Sequence, residues 1–598
     1  MIRIQQLKLP IEHTRQDLDK KLRRELRLKP EESLVYEIRK RSVDARKKPE
    51  LYFNYVIDCK TEKGREQRIL QKADKRRICR AEEAVYRFPI SGVMPLKYRP
   101  VVIGTGPAGL FCGLMLALHG YRPLLLERGQ DVDTRIRDVE RFWEQGILQP
   151  QSNVQFGEGG AGTFSDGKLN TLVKDKEGRN REVLRLFVEA GAEPSLLYEN
   201  KPHVGTDRLI EIVKQMRKQI EAQGGEVRFG VVVTDFVSKN GELTGLVIND
   251  RETIPCETAV FAIGHSARDT FSMLYDNGIL MESKEFAVGF RVEHSQEAIN
   301  ISQYGRKNPV PLSAASYKVT AKAENGRNVY SFCMCPGGYV VNASSEPGRL
   351  AINGMSYHNR AGKNANSAII VSVKREDFAS EHPLAGIAFQ RQLEEAAYRV
   401  GDGKIPVQRL SEFRDVFGGR TEKDVRDWRT AERIPAKKEE TCREDGVFRE
   451  EYTDGLSDDS PEPCMKGTYI FGDLTEILPR EMTEAFLDGM EQFSHIIEGF
   501  GRGDTLISAV ESRTSSPVRI LRDETFQCNI KGIYPCGEGA GYAGGITSAA
   551  MDGMRIAEAI AKKYRPFHQD ESVKNADNDG QGPGSERTGN TETEDRQQ

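Results

Sequence analysis

Three glycines with the spacing G-x-G-x-x-G follow a short apolar run near residue 100. The run Val101–Ile103 is typical of a buried strand, and a glycine turn and an apolar stretch come directly after it. In such a turn the first glycine permits a tight bend, the second lets the backbone approach phosphates, and the third lets the next helix pack on the strand. The N–H groups that begin this helix attract anions. The spacing therefore predicts a cradle for a dinucleotide pyrophosphate, formed by Gly104, Gly106, Pro107, Ala108 and Gly109.

The glycine pattern occurs three times, and the other two copies begin at Gly157 and Gly539. Only the first copy has strand–helix–strand context, because residues 110–119 favour an apolar helix and residues 123–126 a second buried strand. Glu127 ends that strand and is followed by Arg128, and an acid at this point can accept hydrogen bonds from the adenosine ribose. It would also repel the 2′-phosphate of NADP. The alternative is a glycine turn that binds no ligand.

A glycine-rich turn near the carboxyl end discriminates between NAD and FAD. Residues 532–536 are typical of a strand, residues 537–545 of a turn, and residues from about 546 to 562 of a helix. This order resembles flavoproteins of the two-dinucleotide-binding type, in which an acid binds the ribitol and the next helix points its N-terminus at the flavin N1–C2=O edge. A glycine-rich loop that only caps a helix is the alternative. The resemblance implies FAD, with Gly537 and Glu538 at the ribitol and the backbone N–H groups of Gly545, Ile546 and Thr547 at the ring.

Two segments between these turns complete the predicted site. The run 157–169 lacks bulk and can pass close under a flavin ring, although it could also be a flexible surface loop. The apolar strand 258–263 ends in glycine where the chain would cross near the cofactor. Residues 226–236 and 242–249 alternate like two paired strands and would bring backbone to the adenine. The residues expected to contribute are Gly160, Gly162, Thr163, Ser165, Asp166, Gly167, Lys168, Leu169, Val233 and Gly264.

Further segments narrow the resemblance. They are residues 286–294, 330–338, 353–356, 364–367 and 511–519. Together with the glycine turns they resemble the bacterial family labelled uncharacterised FAD-dependent dehydrogenases, which are NAD(P)/FAD-dependent oxidoreductases. The resemblance covers most of residues 1–565 and implies FAD as cofactor without indicating a substrate. The fold class expected is α/β: a Rossmann-like, glutathione-reductase-like FAD-binding domain with an inserted α+β substrate domain and a small α+β N-terminal domain.

The 598 residues divide at changes of composition. The predicted parts are a basic α+β N-terminal domain (1–95), the first part of the FAD-binding domain (96–275), an inserted substrate or partner domain (276–465), the second part of the FAD-binding domain (466–567) and a polar tail (568–598). The tail is expected to be disordered, and the charged stretch 421–463 to be a surface excursion.

The N-terminal region differs from the rest in charge. Residues 1–99 hold 27 Lys and Arg against 15 Asp and Glu, a net +12, so the remainder is −15 in a chain of net charge −3. This asymmetry indicates an acidic partner, which could be nucleic acid, an acidic electron-transfer protein or the acidic body of the chain itself. A basic face that is merely solvated is the alternative. No aromatic-rich platform for RNA accompanies the charge.

The remaining composition excludes several classes of protein. The histidines lack metal-ligand spacing, so no metal is expected. No apolar run is long enough to span a bilayer and the first ten residues hold no signal core, so we expect no membrane contact and a cytoplasmic location. Ten mostly isolated cysteines suit reduced thiols. Cys333 and Cys335 are the one close pair, and their spacing is wrong for a C-x-x-C redox motif. Buried strand cysteines are expected there, with a redox or substrate role as the alternative.

The function predicted is an FAD-dependent oxidoreductase that transfers a hydride through flavin N5 to or from an unidentified small molecule. NAD(P)H remains open as a transient electron donor, although no second dinucleotide fold is evident. The alternatives are an RNA-modifying flavoprotein that grips RNA through residues 1–95 and a flavin-binding scaffold without turnover. No catalytic residue is assigned. Candidates for holding a substrate or moving protons are Arg291, Tyr330, Asn353, Arg360, Arg513, His265 and His294.

Overall fold

A computed structural model describes residues 1–82, 84–308, 310–420 and 460–567. The expectations for the polar tail 568–598 and for most of the charged stretch 421–463 lie outside the described residues. The candidate site is described from residues within these ranges.

The first 80 residues form a small antiparallel sheet covered by two helices. The elements alternate as βαββαβ and the strand order is β2-β3-β1-β4, which is the ferredoxin-like arrangement. Thr14 caps the first helix in a capping box with Asp17, as its position predicts. Buried aliphatic side chains of the strands and of this helix make a core of their own. The elements are β1 (Ile2–Pro10), α1 (Arg15–Leu26), β2 (Val35–Lys47), β3 (Glu50–Lys60), α2 (Lys63–Lys72) and β4 (Ile78–Arg80).

The next part begins with the predicted strand–glycine turn–helix unit. Its helices pack on a parallel sheet, and a three-stranded antiparallel sheet stands beside it. The elements are β5 (Val101–Ile103), α3 (Pro107–Leu118), β6 (Leu124–Glu127), α4 (Val132–Gln145), α5 (Arg179–Glu189), α6 (Thr206–Ala222), β7 (Glu226–Phe229), β8 (Val233–Lys239), β9 (Glu242–Ile248), β10 (Glu252–Pro255), β11 (Ala259–Phe261) and α7 (Arg268–Asp276).

The third part is built around a seven-stranded sheet with its own hydrophobic core. The elements are β12 (Met281–Ser283), β13 (Phe286–Ser295), α8 (Gln296–Tyr304), β14 (Thr320–Lys322), β15 (Asn328–Cys335), β16 (Tyr339–Asn342), β17 (Ile352–Met355), β18 (Asn364–Val373), α9 (Ala385–Val400), β19 (Ile405–Arg409), α10 (Leu410–Gly419), β20 (Met465–Lys466), β21 (Tyr469–Phe471), α11 (Arg480–Ser494) and β22 (Leu506–Glu511).

The chain then returns to the parallel sheet through β23 (Val518–Ile520), β24 (Ile533–Pro535) and α12 (Ile546–Lys563). The five strands of that sheet have the order β24-β11-β5-β6-β7 and all pair in parallel. The last helix packs against α3, the first helix of this part. The carboxyl ends of β5, β11 and β24 therefore meet at one edge, where open α/β sheets bind ligands.

Two boundaries differ from those predicted. The predicted strand 226–236 is interrupted at Gly230, where φ is +69°. Its first half, β7, joins the parallel sheet, and only β8 pairs with β9. The predicted boundary at 465/466 is also wrong, because β21 and β22 are strands of the seven-stranded sheet. The inserted domain thus extends to about residue 511, because β22 pairs with β13, the central strand of that sheet.

The basic N-terminal domain rests on the body of the protein. Arg41 donates its backbone N–H to Tyr198 O at 2.7 Å, and its guanidinium pairs with Glu199. Arg181 of the body pairs in turn with Glu37 of the domain at 2.8 Å. Arg41 and Glu37 of this domain therefore form ion pairs with the body of the same chain. The body is one of the partners that the charge asymmetry left open.

Candidate functional site

A cavity lies at the carboxyl ends of β5 and β11, between the glycine loops and the inserted domain. Its wall includes backbone from the first turn, from the run that follows β11 and from the start of α12, together with side chains of the inserted domain. Most residues predicted from the sequence line it: Gly104, Gly106, Pro107, Ala108, Glu127, Arg128, Gly160, Gly162, Ser165, Val233, Gly264, Glu538, Gly545 and Ile546.

The first glycine turn has the geometry that its spacing predicts. Gly104 has φ +96°, and a Cβ there would lie 2.5 Å from Ala262 O. A Cβ on Gly109 would lie 1.8 Å from Gly104 O, so helix α3 can approach β5 only with glycine at this position. Gly106 caps α3 without a side-chain cap from the described residues. The first N–H groups of α3 are therefore offered to the cavity.

The glycines of the cavity wall leave space for a long ligand. A Cβ on Gly106 would find its nearest neighbour 3.8 Å away, and one on Gly264 or Gly545 would meet no described atom within 4 Å. Side chains at these positions would therefore project into the cavity rather than into the protein. Two uncapped helix N-termini, those of α3 and α12, also open on it. This arrangement suits a dinucleotide whose pyrophosphate is a dianion and whose flavin gains negative charge on reduction.

Glu127 has a different set of partners from the one its position predicts. Its Oε2 accepts hydrogen bonds from the backbone N–H and hydroxyl of Thr105, both at 2.8 Å. Its Oε1 accepts the N–H groups of Gly129 and Gly157, both at 3.0 Å. A carboxylate has about four acceptor directions, so a ribose hydroxyl would have to share or replace one of these donors. Glu127 thereby ties the second glycine loop to the first.

The run 157–169 passes against the first turn. It contains a short 3-10 helix, Gly160–Phe164, and a Cβ on Gly160 would lie 2.8 Å from Gly106 Cα. Ser165 donates its hydroxyl to Gly162 O at 2.6 Å. The two glycine loops therefore touch through their backbones, which leaves the space above them to a ligand.

Several predicted residues lie behind the cavity wall. Arg360 Nε and Nη2 donate to Asp166 at 3.0 and 2.6 Å, and Ser356 and Lys168 donate to the same carboxylate. Although burial opposes ionisation, these cations hold the pKa of Asp166 well below its usual range. The predicted residues that support the wall rather than line it are Gly109, Thr163, Asp166, Gly167, Lys168, Leu169, Gly537 and Thr547.

The late turn meets the first turn across the sheet edge. Gly537 has φ +75°, and a Cβ there would lie 2.6 Å from Ala108 Cβ. Glu538 lines the cavity, with its Oε1 3.2 Å from His265 Nδ1. Thr547 donates its hydroxyl to Leu169 O at 2.7 Å, which fixes the start of α12 on the run 157–169.

The arginine candidates for substrate binding are engaged within the protein. Arg513 makes a bidentate ion pair with the buried Glu394 at 2.9 and 2.8 Å. Arg291 donates to Glu511 at 3.0 Å and to Asn366 at 2.7 Å, and it is fully buried. Arg360 holds Asp166, as described above. These arginines stabilise the wall, and Arg513 also lines the cavity.

The other candidates divide between the wall and the core. His265 and Asn353 line the cavity. Tyr330 does not line the cavity and packs with Ala287 and Ile370. His294 is buried and lies 2.8 Å from Phe500 O, and burial lowers its pKa to about 4. The structure therefore excludes Tyr330 and His294 from this cavity.

Sequence reasoning gave no role to two wall residues of the inserted domain, Glu511 and Phe332. Both lie on strands of the seven-stranded sheet, at places where strand pairing shifts by one residue. A β-bulge re-aims a side chain, but it leaves no mark in a single sequence. The available signal for Glu511 was its charge next to the apolar run Leu506–Val510, which indicates a buried carboxylate.

Comparison with known proteins gives the family. A model described as "FAD-dependent protein, C-terminal domain-like" matches residues 285–441 and 449–514, and a domain of unknown function, DUF8436, matches residues 1–60. An uncharacterised protein of Clostridium beijerinckii is 44% identical over 570 residues, which covers 94% of this chain and 99% of the relative. The chain belongs to the family of this clostridial protein. FAD is its cofactor, and because flavins carry electron-transfer chemistry the chain is, in general terms, a flavin oxidoreductase.

Solved structures resemble the chain only distantly. An Escherichia coli quinol fumarate reductase FrdA variant is 11% identical and covers 78% of this chain and 70% of its own, with a TM-score of 0.33. CtdE in complex with FAD is 10% identical over 78% and 84%, with a TM-score of 0.28. A Bacillus halodurans glycerol-3-phosphate dehydrogenase complexed with FAD is 12% identical, with a TM-score of 0.24, and the chain spans about half its length (47% and 48%). Likeness at this level says nothing about the reaction.

None of the helices among the described residues is long and apolar enough to cross a membrane. No group of three or more His, Cys, Asp or Glu among the same residues is placed to hold a metal ion.

Proposed function

We propose that this protein is an FAD-dependent dehydrogenase or reductase that transfers a hydride between FAD and a small polar molecule. The observation that carries the proposal is the position of two uncapped helix N-termini, of α3 and α12, on one cavity whose remaining wall comes from a second domain. Such a cavity can hold an extended dinucleotide and still present one end of it to a substrate.

Helix α12 has the position required of an anion-stabilising group. Gly545 and Ile546 line the cavity, and Gly545 caps this 18-residue helix without a side-chain cap from the described residues. Its first N–H groups and the positive end of its dipole favour negative charge at that end of the cavity. Bound FAD supplies a two-electron acceptor and donor there. The helix would then favour its reduced form.

The inserted domain offers the substrate side. Asn353 and Glu511 face the cavity from β17 and β22. Glu511 is fully buried, and burial raises the pKa of its carboxyl although Arg291 opposes the shift. A buried carboxyl on the cavity wall can exchange a proton with a substrate oxygen or nitrogen. Asn353 offers an amide to orient the same molecule, while Arg291 keeps both groups in place.

The first experiment identifies the cofactor and its redox use. The full-length protein is purified, the cofactor is released by heat, and its mass is measured. Anaerobic additions of metabolite pools, NADH and NADPH then follow bleaching of the visible flavin bands. We expect FAD, and reduction by at least one metabolite class. We include NAD(P)H because a transient electron donor needs no second dinucleotide-binding fold.

The outcomes separate the proposal from its alternatives. A colourless protein that also fails to bind added FAD contradicts the proposal at its base. A yellow protein that no metabolite or nicotinamide reduces supports a scaffold without turnover. RNA binding that weakens with salt and is lost without residues 1–95 would support the RNA-modifying alternative.

A further inference from the structure

Cys333 and Cys335 stand where the inserted domain meets the candidate flavin cavity. Strand β15 pairs regularly with β18 as far as Phe332, and the register then shifts by one residue before Cys335. Cys333 lies in this bulge with φ +41°, in the left-handed region that few residues other than glycine adopt. The bulge turns Cys333 into the cavity wall, beside Asn353 and Glu511.

The two cysteines are in contact. Cys335 is fully buried, and its thiol donates to the backbone oxygen of Cys333 at 3.1 Å. Only Met334 separates the two cysteines, and both lie at the shift in strand register. Because the Cys335 sulfur already lies against the Cys333 backbone, a bond between the two sulfurs is within the reach of local rearrangement of this bulge.

Two cations lie beside the pair, and each is also paired with a carboxylate, Lys168 with Asp166 and Arg291 with Glu511. Arg291 Nη1 donates to Cys333 O at 3.2 Å, and Lys168 Nζ donates to the carbonyl of Met334, the residue between the cysteines. Lys168 belongs to the run 157–169, so its side chain reaches the cysteine pair from the second glycine loop. Two cations beside a thiol favour its anionic form.

The two thiols differ in acidity. The hydrogen bond from Cys335, with Lys168 and Arg291, lowers the pKa of Cys333, whereas burial and the neighbouring thiolate raise the pKa of Cys335. The pair therefore consists of an anionic sulfur at the cavity and a protonated sulfur behind it. Reactive thiol pairs have this asymmetry, because one sulfur attacks and the other resolves.

The other cysteines provide the contrast. Among the described residues, Cys333 is the cysteine that lines this cavity. Burial raises the pKa of the thiols of Cys59, Cys112, Cys256, Cys464, Cys528 and Cys536. Thiols of that kind are protonated at neutral pH and react slowly.

We propose that Cys333 and Cys335 form a redox-active pair that exchanges two electrons with FAD. The inference rests on the proposed function, because it needs FAD in the cavity. As the Sγ–Sγ bond forms, the Cys333 thiolate and the Cys335 thiol lose two electrons and one proton, and FAD receives all three. In the reverse direction two electrons and one proton from the reduced cofactor break the disulfide. In its reduced form the cysteine pair thus stores two electrons in addition to the two that reduced FAD carries.

The test counts electrons and thiols in the full-length, flavin-loaded protein. Anaerobic titration with dithionite should consume about four electrons per FAD in the wild type, because the disulfide and the flavin each take two. Cys335→Ser and Cys333→Ser should each lower the uptake to about two. Cys464→Ser is the matched control, since it removes a half-buried thiol remote from the cavity and should still show about four.

Alkylation gives a readout that does not depend on electron uptake. Oxidised protein denatured in N-ethylmaleimide should leave the peptide with Cys333 and Cys335 unlabelled and joined by a disulfide, and reduced protein should label it twice. Before denaturation, iodoacetamide at about pH 6 should label Cys333 of the reduced protein ahead of the other cysteines. A yellow wild type that takes up two electrons and labels both thiols after oxidation overturns the pair alone. A protein that never binds FAD overturns the proposed function and this inference with it.

Discussion

Glu127 accepts the Gly157 N–H at 3.0 Å, so the carboxylate that ends β6 holds the second glycine loop against the first. The same side chain accepts two hydrogen bonds from Thr105, inside the first turn. One buried carboxylate therefore sets the spacing of the two backbones that form the floor of the cavity. Its loss should weaken FAD binding and also lower the stability of the fold.

Replacement of this carboxylate tests that connection. Glu127→Gln places an amide NH₂ group where the carboxylate now accepts four hydrogen bonds. Each buried donor that loses its acceptor costs about 1–3 kcal/mol. We expect FAD affinity to fall at least about tenfold, with a lower melting temperature. The measurements are flavin fluorescence titration and calorimetry. Glu140→Gln, an exposed change on α4, is the control, and equal behaviour of the two variants would contradict the role of Glu127.

The wall glycines give a prediction that separates binding from folding. Gly106 has φ −68° and Gly545 has φ 172°, both accessible to any residue, and a Cβ at either position points into the cavity. Gly106→Val and Gly545→Val should therefore fold but lose at least about tenfold in FAD affinity, because the side chain occupies ligand space. Gly64→Val, at an exposed helical glycine with open space, should keep wild-type affinity. Circular dichroism checks the fold, and bound flavin in either cavity variant at wild-type level would refute the placement.

The buried pair of Arg513 and Glu394 predicts a stability effect rather than a substrate effect. Glu394 is fully buried and also accepts from Arg268 at 2.8 Å. Glu394→Gln leaves the buried guanidinium of Arg513 without a carboxylate partner, which costs about 3–5 kcal/mol of unfolding free energy. Arg513→Gln leaves Glu394 paired with Arg268, so we expect a smaller loss. Arg185→Gln, at an exposed helical ion pair, should cost less than about 1 kcal/mol. Denaturant unfolding measures the difference. An Arg513 variant of wild-type stability with a raised KM would reverse the assignment.

Glu293 predicts a pH dependence of stability. Burial raises the pKa of this carboxyl to about 7 from an ordinary value of 4.5. The folded state then binds a proton that the unfolded state releases, so this contribution to stability is present in full below about pH 4.5 and is lost as the pH rises to about 7. The loss is on the order of 2–3 kcal/mol.

Glu293→Gln should flatten the stability curve in that window, because an amide carries no titrating proton. Thermal unfolding between pH 4.5 and 7 measures it. Glu498→Gln, on the surface, should leave the slope unchanged. A wild-type slope that persists in Glu293→Gln would assign the effect to another group.

Short-range chemistry made much of the site predictable. Local backbone geometry requires a bend at Gly104, close packing of Gly109 on Gly104 O and the start of a helix at Ile546. The structure places all three as expected. The FAD assignment followed from two such units at opposite ends of the chain. The capping of α1 by Thr14 was local in the same sense.

Long-range pairing was out of reach for physical reasons. The sequence shows that Arg291 and Arg513 carry charge, but their partners Glu511 and Glu394 lie 220 and 119 residues away. The assignment of β22 to the inserted sheet depends on its pairing with β13, which no local pattern encodes. The position of Cys333 depends on a bulge. Each of these errors concerns a contact between distant segments, where periodicity carries no information.

The order of the strands in the parallel sheet has a consequence for biosynthesis. Strand β11 lies between β5 and β24, and α12 packs on α3, so the first and last helices of the cofactor domain are direct neighbours. A ribosome-bound chain that has not yet released residues 533–563 lacks one side of the sheet and the helix that closes the cavity. Flavin loading must therefore wait until translation is complete, and truncation near the carboxyl end should yield apoprotein rather than a shortened holoenzyme.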